Sequence, residues 1–188
     1  MRIPRRRVRR KGVIHPLTLP GMPSGCRLVD ARPTSIIPHA MPFTPQDPDF
    51  EARVRQSFAR QRVMETIGAR LVRVAPGEVE IELGFRDDLT QQDGFLHAGI
   101  VSTVLDSAAG YAAHTLMPPG AGVLSIEFKV NLLAPALGER VIARARVVRA
   151  GRTISVCTAD AFAIRDGAER HVSTMTATMM TIAARDAT

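Results

Sequence analysis

Between Gly94 and Ile126 the chain carries one charged residue, Asp106, inside a run of aliphatic and small side chains. A carboxylate in apolar surroundings is costly to keep ionised unless hydrogen bonds hold it or its pKa rises. Those are the conditions under which a carboxylate becomes a base, and Asp106 is the first candidate catalytic residue. The plain alternative is that it sits at the rim of the apolar stripe, where it caps a loop or faces water. Nine residues upstream, His97 opens the same segment. A histidine there is a general base or, more simply, a capping residue. The two lie on opposite faces of a continuous helix, so one chain does not pair them unless His97 falls outside it. The backbone N–H groups of Ala98 and Gly99 would point out of the helix N-terminus, where they could meet a developing oxyanion. No Ser or Cys occupies a nucleophile-elbow context, no phosphate-binding loop is present, and no Cys/His spacing fits a metal.

These residues need a buried helix and something to bury it. Ile100, Val101, Val104, Leu105, Ala108, Ala109, Ala112 and Ala113 cover more than half of a helical circumference, and Pro118-Pro119-Gly120 ends the pattern. Upstream, Phe50, Val54, Phe58, Met64 and Ile67 recur at near-helical spacing and predict one amphipathic helix over 50–66. Strands follow at 70–76 and 77–85 around a Pro76-Gly77 turn. In the second, Val79, Ile81 and Leu83 alternate with Glu78, Glu80 and Glu82. Downstream of the long helix the chain is β throughout. Leu124, Ile126, Phe128 and Val130 alternate with Ser125, Glu127, Lys129 and Asn131. Val141, Ala143, Ala145 and Val147 alternate with arginines, and turns at Ala150-Gly151 and Asp166-Gly167 link two further strands. Strands joined by hairpins plus one isolated apolar helix predict an α+β fold, an antiparallel sheet packed on that helix. A single sheet on one helix leaves edges and a face exposed, which predicts oligomerisation.

The 188 residues suit one domain, and no apolar run reaches the roughly 18 residues a spanning helix requires. The net charge of +7 sits entirely in residues 1–40, where nine Lys/Arg face only Asp30, leaving 16 basic and 17 acidic residues beyond. The remainder is close to neutral and offers no electrostatic reason to bind nucleic acid or an anionic membrane. Residues 1–48 hold nine of the thirteen prolines and no apolar period, and read as a disordered, basic, Pro-rich tail. The tail is expected to be dispensable, or to be untranslated sequence before a start at Met22 or Met41. A nucleic-acid or membrane arm and a targeting peptide are the other readings of its Arg5–Lys11 cluster. Residues 49–188 form the expected domain. Cys26 and Cys157 lie too far apart in character for an expected disulfide, and the chain reads as cytoplasmic, in a reducing compartment.

Gln91, His97-Ala98-Gly99 and Asp106 together resemble the pattern of the hotdog-fold acyl-CoA thioesterases of the PaaI-like, phenylacetate-pathway type. Those enzymes carry Asn or Gln, a His-Gly-Gly turn six residues on, and an acid nine residues after the His. The resemblance runs from about Asp49 to the C-terminus and includes the Leu133–Gly138 and Val147–Arg152 turns. It departs at Ala98, which replaces the middle glycine.

The resemblance implies hydrolysis of an acyl- or aryl-acyl-CoA to free acid and CoA, the CoA being part of the substrate rather than a cofactor. Asp106 is implied as general base or nucleophile, and the Ala98 N–H with the Gln91 side chain as the groups polarising the carbonyl. His97 orders the turn, and Ser125 helps to place the attacking water. Arg149, Gly151 and Arg152 are implied along the CoA pantetheine and phosphates. A homodimer or homotetramer is implied, with the site between subunits. Two other readings stand beside this one: a hotdog hydratase or dehydratase, and a non-catalytic acyl-CoA-binding regulator with a DNA-touching tail.

Overall fold

The computed structural model describes residues 43–183. The expected tail lies outside the described residues up to position 42, and its last residues, 43–48, are described. The Phe43 ring lies over Gly77, where an added Cβ would come within 2.7 Å of it. Gln46 Nε2 donates to Leu116 O at 3.0 Å, and the buried Asp47 pairs with Arg53 at 3.1 Å.

The elements run α1 (Phe50–Ala59), α2 (Arg62–Ile67), β1 (Ala69–Ala75), β2 (Glu78–Gly84), a 3-10 turn at Asp87–Leu89, α3 (Ala98–His114), β3 (Gly122–Leu132), β4 (Arg140–Ala150), β5 (Ile154–Arg165) and β6 (Ala168–Ile182). The single helix expected over 50–66 is therefore two. Gln61 takes extended backbone angles between them, and its side chain reaches Ser107 of α3 at 3.3 Å. All neighbouring strands pair antiparallel in the order β1-β2-β4-β5-β6-β3. The Asp166-Gly167 hairpin has φ of 51° and 77° at its two central residues, the geometry that matches strand twist.

One face of this sheet wraps α3. Val79, Ile81 and Leu83 of β2, Val141 to Val147 of β4, Cys157 to Ala163 of β5, and Met175, Ala177 and Met179 of β6 meet Val101, Val104, Leu105, Ala108, Ala109 and Ala112. Alanines on both sides let the helix lie close against the strands. The opposite face carries the glutamates and arginines, including Arg144 on Glu169 at 2.6 Å and Arg70 on Glu82 at 2.5 Å. This is the α+β, hotdog architecture, a sheet around a central helix. Among the described residues no helix is long and apolar enough to cross a membrane.

Both ends of α3 are fastened. At the C-terminal end Thr115 is fully buried; its Oγ1 donates to Ala112 O at 2.6 Å and accepts from the Gly77 N–H at 2.8 Å. The Arg53 guanidinium covers the exposed carbonyls there, donating to His114 O at 3.1 Å, to Met117 O at 2.8 Å and to Pro118 O. A cation at a helix C-terminus is favourable because it meets the negative end of the peptide dipoles.

Candidate active site

The N-terminal end of α3 is built by a tight turn. Gln91 N–H donates to Phe95 O at 2.8 Å, Gly94 takes φ of 80°, and His97 N–H donates to Leu89 O at 2.9 Å. His97 is the N-cap, with extended backbone angles, and its Nδ1 accepts the Gly99 N–H at 2.9 Å. A Cβ on Gly99 would sit 3.1 Å from that nitrogen, so glycine is what lets the ring fold over the helix start. The Gly99 N–H is thus already used. The Ala98 N–H, the first of the helix, has no acceptor among the described residues. Ala98 also keeps a negative φ, since Asp166 is the one described non-glycine in the left-handed region. Its methyl group therefore carries no backbone strain. Gln91 Oε1 accepts the Asp93 N–H, which leaves its amide Nε2 as a donor. Gln91, Ala98, Phe95, Leu132, Leu133 and Pro135 are among the residues lining a largely apolar cavity of about 380 Å³.

Asp106 lies farther along α3, half-buried, and Ser125 Oγ donates to its Oδ1 at 2.6 Å. That contact depends on a β-bulge. Ser125 pairs with the inward Met179, but Glu127 pairs with Thr178, so Ile126 is an extra residue between them. The strict alternation read from Leu124 to Val130 is therefore broken. Ser125 turns toward the helix on the same face as Phe128 and Val130, while Glu127 turns outward and accepts from Thr178 Oγ1 at 3.2 Å. A second cavity, of about 350 Å³, opens beside Asp106 and Ser125. Its other walls are Ser57, Arg60, Gln61, Ser107, Gly110, Tyr111 and Val123. Of these, none was singled out by the sequence reading. The one available signal was Gly110, a helix-interior glycine that local propensity disfavours.

Within one chain the two cavities do not merge into one site. Ala98 and Asp106 are eight residues apart on one helix, about 12 Å along its axis. No single carbonyl can touch both, because a donor and a base must each reach it at about 3 Å. The edge strand β3 meanwhile leaves Leu124, Ile126, Phe128 and Leu132 about half exposed. Arg149, Gly151 and Arg152 are exposed at the β4–β5 hairpin and line neither cavity. A Cβ on Gly151 would fall 2.4 Å from Ile154 O, which fixes glycine in that turn. Among the described residues no three His, Cys, Asp or Glu side chains gather where they could hold a metal ion.

Comparison with known proteins gives this geometry a family. The Thioesterase superfamily model matches residues 93–169, which span α3, β3, β4 and β5 and the part of the turn from Asp93 onward. A thioesterase family protein from Silicibacter pomeroyi has a crystal structure that superposes with TM-score 0.70. It is 59% identical and covers 71% of this chain and 98% of that one. Human acyl-coenzyme A thioesterase 13 is 31% identical over 91 residues, 48% of this chain and 64% of the human protein. The Escherichia coli PaaI protein, from the phenylacetic acid degradation operon, shares the fold with TM-score 0.65 at 13% identity, covering 72% of this chain and 95% of its own. A central helix in a wrapped antiparallel sheet is thus a shared architecture: the chain belongs to the thioesterase superfamily and is a hotdog-fold hydrolase.

Proposed function

We propose that the protein hydrolyses acyl-CoA thioesters at a site formed twice between two copies of the chain. The observation that carries this reading is the Ser125–Asp106 hydrogen bond of 2.6 Å. It occupies Oδ1 and leaves Oδ2 to act on water. As Oδ2 takes a proton, the water oxygen bonds to the thioester carbonyl carbon and the carbonyl electrons move to oxygen. The partner's Ala98 N–H and Gln91 amide hold that oxyanion. Collapse breaks the C–S bond, and the thiolate leaves and takes up the proton. Attack by Asp106 itself, through an anhydride, uses the same groups. His97 keeps the turn in place through Nδ1, which withdraws that nitrogen from the base role a hydratase would require. Arg149 and Arg152, beside Gly151, are exposed cations suited to CoA phosphates. The name of the human relative supports acyl-CoA as the substrate class. The free, buried thiol of Cys157 accords with a reducing, cytoplasmic setting.

The dimer follows from the 12 Å problem. If two α3 helices lie antiparallel, the N-terminus of each meets the Asp106 of the other, and the free β3 edges, with their exposed apolar side chains, close on each other. The test is complementation. Asp106→Asn removes the base, and Ala98→Pro removes the N–H at the first helical position, where proline is tolerated. Each variant alone should be nearly inactive. A doubly tagged heterodimer of the two holds one site with both lesions and one with neither, and should recover about half of the wild-type rate. An inactive heterodimer, or a fully active Asp106→Asn enzyme, would refute the reading.

A further inference from the structure

Three features of the cavity beside Asp106 point to what fills it. The first is Gly110, one turn beyond Asp106 on α3. It is buried, yet a Cβ built there would meet no atom within 4 Å. A helix-interior glycine gives up stability relative to alanine, so here it preserves an empty slot directly past the reacting carboxylate.

The second is Gln61, at the α1–α2 break. Its Nε2 meets Ser107 Oγ at 3.3 Å, while its Oε1 is buried with no partner among the described residues. Exchanging the amide's O and N leaves the same count, one buried polar atom of a cavity-lining side chain unsatisfied. Such an atom is costly to leave unpaired in the absence of a ligand or water. The third is Arg60, whose guanidinium forms no ion pair among the described residues and lines the same cavity with the Tyr111 phenol and Ser57. Only Gly110 and Val123 of the lining residues lack a polar side chain. An alkyl chain ending in a methyl group would meet a largely polar wall, whereas an oxygen at its far end would find Arg60 and Gln61 as partners.

We infer that this cavity is the acyl slot and that it selects acyl groups ending in an oxygen, carboxylate or hydroxyl, held by Arg60 and Gln61. This rests on the thioesterase reading above. The slot would set specificity from the N-terminal helices, while the chemistry stays on α3 and β3.

The test compares three CoA thioesters of equal chain length, hexanoyl-, 6-hydroxyhexanoyl- and adipoyl-CoA, with the full chain. The wild type should favour the two oxygen-ended substrates over hexanoyl-CoA by about tenfold or more in kcat/KM, the size of one charge-assisted hydrogen bond in a partly open site. Arg60→Ala should erase the adipoyl preference and keep most of the hydroxyl preference; Gln61→Leu should do the reverse. Gly110→Leu should lower kcat/KM for all three while raising the melting temperature, because leucine is a better helix former and fills a void. The inference fails if hexanoyl-CoA is hydrolysed as well as the others by an Asp106-dependent activity, or if neither Arg60→Ala nor Gln61→Leu moves the ratios. If none of the three is hydrolysed and Asp106→Asn changes nothing with any thioester, the thioesterase reading itself falls.

Discussion

Ser125 reaches Asp106 because Ile126 is a residue too many. Without that bulge Ser125 would share the outward face of Glu127, as strict alternation along β3 requires. With it, the hydroxyl sits 2.6 Å from the carboxylate on the helix that the sheet encloses. A strand irregularity thus positions the candidate base.

The first prediction concerns that contact. Ser125→Ala should lower kcat by about a hundredfold, the order expected when a reacting group is left about 1 Å out of place. Thermal stability should stay near wild type, since the hydrogen bond lies at an open cavity. Steady-state kinetics with paired melting curves would check both halves.

A second concerns the lock at the far end of α3. Thr115→Val removes the hydroxyl that joins the Gly77 N–H to the Ala112 carbonyl, leaving both in a fully buried position. The expected loss is about 1–3 kcal/mol, the cost of an unsatisfied buried polar group. Urea unfolding should show a lower midpoint with an unchanged slope.

His114 makes stability pH-dependent. Its Nε2 donates to Ala121 O at 3.0 Å and its buried Nδ1 has no partner among the described residues. Burial pushes its pKa below the usual 6.5, helped by Arg53 and Arg60; the Ala121 carbonyl and Asp47 push back. The unfolded chain therefore binds the proton first as pH falls, so the folded state loses stability below about pH 6.5 and is unaffected above it. Denaturant midpoints between pH 8 and pH 5.5 should show this decline. His114→Gln, which keeps a donor for Ala121, should flatten it.

Cys157 should be chemically silent. Its thiol is fully buried in β5 and burial pushes its pKa up to about 12. Iodoacetamide at pH 8 should leave it unmodified in the native protein and alkylate it in denaturant, as peptide mass spectrometry would read directly.

Much of the fold was legible because it is periodic. Val79, Ile81 and Leu83, and Val141 through Val147, alternate on local sequence alone, and both hairpin turns carry their glycines. Asp106 stood out because it is the only charge in a long uncharged stretch. What was not legible is set by tertiary partners. No glycine or proline marks the break at Gln61, whose side chain is drawn to Ser107 forty-six residues away. The bulge at Ile126 leaves no trace in composition, because only pairing with Met179 and Thr178 reveals it. Arg60 and Tyr111 look like an ordinary surface cation and an ordinary core aromatic until the folded chain puts them on one wall.

The Arg53 clamp has a consequence for how that wall behaves. The helix that bears Arg53 also leads to Arg60 and Gln61, and its anchor is the carbonyl cluster at the end of α3 together with Asp47. One wall of the acyl slot is therefore carried by a helix pinned at its root. Loosening the pin, by Arg53→Ala or by neutralising Asp47, would blur the choice among acyl groups at temperatures where the sheet and its central helix are still intact. Selectivity, in this chain, should melt before structure does.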